Sequence, residues 1–231
     1  MTAAGPRPAW RPAPFAPPGR ARTALLLSLG ANAALAWIVV LGFHTFVQRL
    51  WRAMSERMPP GAALEAHWGQ IETARRLQGL AWVVTAVLFL LWVGRVYGNL
   101  PALGAHRMRF SPRWAVGTFF VPALNLVWPF LVMREVWNAS DPDPGGDGAP
   151  QPPRRAPWIL AWWALFVTAT LLDFGPWRLV EDLRTRLSVG GPTTVLLAAQ
   201  LIEVAAAVLA IVVVLQVDDR QARRRRALGD P

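Results

Sequence analysis

Trp114-Ala-Val-Gly-Thr-Phe-Phe-Val-Pro122-Ala-Leu-Asn125-Leu-Val-Trp128-Pro129 reads as an apolar helix that is interrupted before it can finish. Pro129 offers no N–H to the carbonyl of Asn125 and its ring crowds the same carbonyl; Pro122 does the like earlier in the run. Asn125, between them, is of the non-glycine type that most readily turns left-handed. The apolar segment as a whole runs from Trp114 to Met133, and two arrangements fit it. One is a kinked but complete membrane span. The other is a re-entrant hairpin whose arms, 114–121 and 130–137, each ~12 Å long, meet near mid-membrane.

Four further apolar stretches surround it: Thr23 to Phe43, Leu77 to Gly94, Ala156 to Leu172, and Leu187 to Val217 with Glu203 inside. A helix needs roughly 20 mainly apolar residues to cross a hydrocarbon core ~30 Å thick, so all five are candidate spans. Composition agrees. Of 231 residues 54% are hydrophobic and 16% charged, a balance unlike that of a soluble domain. Trp51, Trp114, Trp137, Trp158 and Trp177 lie near segment ends, as an interfacial aromatic belt would. The expected fold is therefore an all-α integral membrane protein, a helical bundle of five apolar segments with the third broken by proline.

Arginine separates the two arrangements, because all 24 basic residues are Arg. With five full spans and the N-terminus inside, the two sides carry 11 and 13. With a re-entrant third segment the inside holds 16 and the outside 8, and only this division satisfies the positive-inside rule. The hairpin is thus the favoured arrangement, with both termini in the cytoplasm and the protein in the cell membrane.

Residues 1–22 hold six Pro and four Arg and read as a disordered tail, with the first apolar segment a signal anchor rather than a cleaved leader. The membrane domain is expected over 23–217, followed by a basic C-terminal tail, 218–231. After Pro59-Pro60-Gly61, the stripe Leu64, Trp68, Ile71 and Leu77 predicts an interfacial helix leading into the second span. The connection 138–157, with six Pro, predicts an irregular loop.

Three stretches together carry a family resemblance: His106-Arg-Met-Arg-Phe-Ser111-Pro112-Arg-Trp114, then Phe120-Val-Pro122-Ala-Leu-Asn125-Leu-Val-Trp-Pro129, then Val132-Met-Arg134-Glu135-Val-Trp137-Asn-Ala-Ser140-Asp141-Pro142. With Trp92-Val-Gly-Arg95-Val-Tyr-Gly-Asn99, and more weakly Trp162-Trp163, they resemble bacterial multi-pass membrane proteins of actinobacterial type, the family of domain of unknown function 4328. The resemblance covers about residues 80–217. Relatives usually place the aromatic directly after Asn-Leu, whereas Val127 intervenes here before Trp128. The family has no established activity, so the resemblance implies a location and an architecture. Read physically, Ser111 can cap a helix opened by Pro112. Arg95 and Asn99 share a helical face, where Arg95 can reach the headgroups or hold a carbonyl freed at the Pro-broken segment.

Sites for chemistry are sparse. Cysteine is absent, and His44, His67 and His106 lack metal-ligand spacing, so no metal and no cofactor is expected. Neither a Gly-x-Ser-x-Gly elbow nor a phosphate loop occurs, which makes an enzyme unexpected. Glu203 inside a span should face the bundle, be protonated or have a partner. Asn32, Thr168 and, in the hairpin arrangement, Asn125 come out at similar depth. These four could form a polar cluster, either as hydrogen-bond glue or as a solute site. The partners expected are the lipid bilayer, anionic headgroups at the basic tails, and a membrane protein or a second copy of the chain. Nucleic acid is not expected, since the Arg223–Arg226 run beside a span suits lipid better. The leading role is a non-enzymatic membrane scaffold or interaction partner; the alternative is a small transporter or channel-like protein with a mid-membrane polar site.

Overall fold

The computed structural model describes residues 14–57, 61–105, 108–121, 124–142, 156–174 and 190–229, and every regular element among them is helical. Six α-helices follow in order: α1 Gly19–Ser55, α2 Ala62–Gly98, α3 Pro112–Gly117, α4 Trp128–Ala139, α5 Pro157–Phe174 and α6 Gly190–Ala227. Three helical stretches, Gly19–Ser55, Ala63–Leu103 and Leu197–Ala227, are long and apolar enough to cross a membrane; Pro157–Leu172 is a shorter apolar helix. This is an all-α membrane fold.

The long helices outrun their apolar cores. At 1.5 Å per residue, the 37 residues of α1 and of α2 each make about 55 Å, well beyond the hydrocarbon thickness. The interfacial helix expected after Pro59-Pro60-Gly61 runs without a break into the second span, as the first half of α2. Two tail boundaries also move. Helix α1 begins at Gly19, and residues 14–18 of the expected N-terminal tail are described, with Ala16 hydrogen-bonded and Pro18 buried. Residues 218–227 of the expected C-terminal tail are the last turns of α6, because the buried stripe Ala206, Ala210, Val213, Val217 continues on the same face into Asp218 and Gln221. Residues 1–13, Pro122 and Trp177 lie outside the described residues. Of the expected aromatic belt, Trp51, Trp114 and Trp158 are exposed.

The chain divides into two compact units, and both α2 and α6 contribute to each. The span unit comprises Arg20–Leu91 and Arg155–Gln216. Here α1 and α2 run antiparallel: Asn32 Nδ2 donates to Thr85 Oγ1, while further along α1 Thr45 Oγ1 pairs with His67 Nε2 at 2.9 Å. A Cβ at Gly42 would sit 3.0 Å from Ile71 Cγ1, so glycine is what lets the helices close there. Val39, Phe43 and Ile71 form the core at this point. The opposite face of α2 exposes Leu80, Val83, Val84, Val87 and Leu91, an apolar stripe at helical spacing suited to lipid tails.

The clasp unit comprises Met1–Gly19, Trp92–Arg154 and Val217–Pro231. Its backbone explains itself locally. Helix α2 stops where Pro101 follows, in a short 3₁₀ turn, Pro101–Leu103, closed by Gly104 at φ +86°. Ser111 Oγ accepts from Trp114 N at 3.3 Å and Pro112 occupies the first turn, so α3 starts as its Ser-Pro pair dictates. Only six residues later α3 ends, and Leu124–Leu126 forms a second 3₁₀ turn. Asn125 does not use the left-handed conformation its residue type tolerates; among the described residues Arg57 is the one non-glycine residue with positive φ. Pro129 sits in the first turn of α4, where its missing N–H costs nothing. The two arms are unequal: six residues in α3, about 9 Å, and twelve in α4, about 18 Å. The Phe110 and Trp128 rings lie 5.8 Å apart, so the chain has folded back to its entry point by the time α4 begins.

Candidate functional site

Within the clasp unit, the end of α2 meets the last turns of α6 in register. Trp92 Nε1 donates to Asp218 Oδ1 at 3.0 Å, Gln221 Nε2 to the Val96 carbonyl at 2.9 Å, and Arg224 Nε to the Leu103 carbonyl at 3.2 Å. Residue numbers rise together on both partners, so the two helices are parallel here. The chemistry follows from how α2 ends. The N–H of Leu100 turns to the Tyr97 carbonyl, which leaves the Val96 carbonyl without its usual helical donor. Gln221 supplies that donor.

Asn99 and Gln221 lie at the centre of the network, 3% and 1% exposed. Asn99 Oδ1 accepts from Ala16 N at 3.0 Å and its Nδ2 donates to Ala16 O at 2.9 Å, so one carboxamide holds both polar groups of one residue's main chain. The same Nδ2 lies 3.3 Å from Gln221 Oε1, and Gln221 Nε2 reaches Ser140 Oγ at 3.2 Å. The entry to α1, the end of α2, the end of α4 and the end of α6 are thereby joined through two side chains. Around them, Arg220 pairs with Asp141 at 3.1 Å and lies over the Trp137 ring at 4.1 Å. Arg225 lies over Phe15 at 5.1 Å.

A second group joins the end of α2 to the stretch before α3 and to α4. The Tyr97 hydroxyl donates to Glu135 Oε2 at 2.8 Å and accepts from Phe110 N at 3.0 Å; Glu135 Oε1 takes Arg109 N. Helix α4 buries Pro129, Val132, Met133 and Val136, an apolar face at helical spacing. At Gly94 an added Cβ would lie 3.3 Å from Val116 Cγ2, so α3 packs closely on α2 there.

The expected site residues fall into different surroundings. Asn99 and Pro129 are buried, and Trp137 is half-buried under Arg220. Arg95, Ser111, Pro112 and Trp114 are exposed. The Val96 and Leu103 carbonyls are held by Gln221 and Arg224, and no described hydrogen bond joins Arg95 to a carbonyl of the Pro-broken segment. Asn125 is exposed, its Nδ2 3.3 Å from the Phe119 carbonyl. In the span unit Asn32 bonds Thr85 and the Ser28 carbonyl, Thr168 is exposed, and Gln78 Nε2 donates to both Gln200 Oε1 at 2.9 Å and Glu203 Oε2 at 2.8 Å. The described hydrogen bonds of Asn32, Asn125 and Thr168 do not draw them to Glu203. No group of three or more His, Cys, Asp or Glu able to hold a metal ion occurs among the described residues.

Sequence reasoning missed Gln78, Tyr97, Gln200, Asp218 and Gln221. One signal was available: Gln78, Thr85, Trp92 and Asn99 recur every seven residues, so one face of α2 carries all four hydrogen-bonding side chains.

Fold and site together define an all-α helical membrane protein whose helix ends are tied by buried carboxamides. The chain belongs to the family described as Domain of unknown function (DUF4328), which it matches over residues 60–219. No curated protein and no solved structure matches it.

Proposed function

We propose that the chain is a non-enzymatic multi-pass protein of the bacterial cell membrane that acts as a scaffold or interaction partner. The observation that carries this reading is the closure of the network around Asn99 and Gln221. Its buried polar groups are engaged with one another and with helix-end carbonyls, an arrangement suited to a fixed surface rather than to turnover of a substrate. Co-purification of the tagged protein from its native membrane in mild detergent tests it. A stoichiometric membrane partner is expected; recovery of the chain alone under every mild condition would count against a scaffold.

Both termini are proposed to be cytoplasmic. Parallel α2 and α6 require an odd number of crossings between the end of one and the start of the other, which α5 supplies if the third segment re-enters without crossing. The arginine balance of 16 against 8 then favours the cytoplasm for that end. In a chain without Cys, an Asp147→Cys variant reports this cleanly. A membrane-impermeant thiol reagent should leave intact cells unlabelled, and labelling beside a protected N-terminal tag would exclude the re-entrant arrangement.

One observation favours a second reading, a small transporter or channel-like protein with a mid-membrane polar site. Glu203 stands inside an apolar span beside Gln78 and Gln200, and acids in such positions often serve translocation. Proton flux into proteoliposomes, lost in Glu203→Gln, would support it over the scaffold; flux equal to that of empty vesicles would discard it.

A further inference from the structure

The arginines of α6 were the expected contact for anionic headgroups, yet each of them has a protein partner. Arg220 has Asp141 and Trp137, Arg223 has Asp219 at 2.6 Å, Arg224 has the Leu103 carbonyl, Arg225 has Phe15, and Arg226 has the Ala222 carbonyl. Elsewhere in the clasp unit the position is reversed. The side chains of Arg95, Arg109 and Arg113 are exposed and make no hydrogen bond or ion pair with any described residue. Glu135, whose carboxylate takes the main-chain N–H of Arg109, is also engaged by the Tyr97 hydroxyl.

The stretch that carries Arg109 and Arg113 meets, at both of its ends, the last turns of α2 that carry Arg95. Phe110, between Arg109 and Ser111, is bonded to Tyr97, two residues after Arg95; Val116, one turn after Arg113, lies against Gly94, one residue before Arg95. Moving along the hairpin from this entry, the surface changes in order. Trp114 is 56% exposed next to Arg113, and beyond it Phe120, Leu126 and Val127 are 69%, 49% and 54% exposed. Cations, then an indole, then bare hydrocarbon is the sequence of environments from lipid phosphate to acyl chain.

We infer that Arg95, Arg109 and Arg113, with Trp114 at their edge, form a binding surface for an anionic phospholipid at the entry of the α3–α4 hairpin. Anionic headgroups answer these exposed guanidinium groups around the end of α2, and acyl chains lie along Phe120, Leu126 and Val127. The inference rests on the membrane reading of the chain and on the re-entrant third segment; labelling of Asp147→Cys tests that segment and lipid retention tests the surface, so the two failures are told apart.

The test uses the full chain purified in detergent, with phosphatidylglycerol or phosphatidylcholine added as the probe. Native mass spectrometry should show retained phosphatidylglycerol, and its titration should raise the unfolding temperature where phosphatidylcholine does not. Arg95→Gln/Arg109→Gln/Arg113→Gln should weaken apparent phosphatidylglycerol affinity about tenfold or more, while Arg223→Gln/Arg226→Gln leaves it unchanged. If the triple variant fails to fold, Arg113→Gln alone should still weaken it about threefold, since that exposed side chain makes no hydrogen bond or ion pair with a described residue. Loss in the α6 pair with retention in the hairpin variants would overturn the assignment. So would equal retention of both lipids, or an equal shift produced by inorganic phosphate alone, which would make this a soluble-anion surface.

Discussion

In the span unit, polar side chains meet in small separate groups set among apolar neighbours: Asn32 with Thr85, and Gln78 with Gln200 and Glu203. In the clasp unit they form a connected set, where Asn99, Gln221, Ser140 and main-chain groups of Ala16 and Val96 share bonds. The difference follows from backbone. Long uninterrupted helices satisfy their own N–H and C=O groups, so polar side chains there need only one another. Helix ends do not, and the clasp unit gathers several: the end of α2, both ends of α3, and the end of α4. Side chains that can donate and accept at once are what such a place requires, and carboxamides do both.

That contrast predicts a ranking of substitutions. Gln221→Leu should cost most, about 3 kcal/mol, because it strands the Val96 carbonyl and takes one bond each from Asn99 and Ser140. Thermal unfolding in detergent would read it, and a cost under about 1 kcal/mol would mean that water replaces the side chain and the set is not closed. Gln78→Leu should cost less, about 1–2 kcal/mol, since only two side-chain bonds are lost and no backbone group is stranded. Equal losses at Gln78 and Gln221 would break the distinction between the units. Gly104→Ala should cost about 1 kcal/mol through its left-handed φ of +86°, as the space at that Cβ is adequate. Arg76→Gln sets the floor: its pair with Glu72 is solvent-exposed on both sides, and a change below about 0.5 kcal/mol is expected in the same melts.

Much of the fold could be read in the chain because apolar run length is a direct physical requirement of a bilayer. The cores of α1, α2, α5 and α6 follow from that alone, and the broken third segment follows from Pro129 and the Ser111-Pro112 start. Helix ends were less legible. Residues 44–55, 62–77 and 218–227 mix charges with apolar side chains, and only packing decides whether such stretches stay helical. Asn125 shows the limit of residue preference: its tolerance of left-handed backbone goes unused because a 3₁₀ turn already reverses the chain. The site was least legible. Gln221 looked like part of a solvated basic tail, and nothing local reveals that a carbonyl freed at the end of α2, at Val96, would meet it.

Asn99 grips residue 16 through the peptide group and ignores its methyl. The leading arm can consequently drift through almost any alphabet at that position without losing its berth, proline excepted, since proline has no N–H to offer Oδ1. Among relatives, the berth should be constant and the lodger variable.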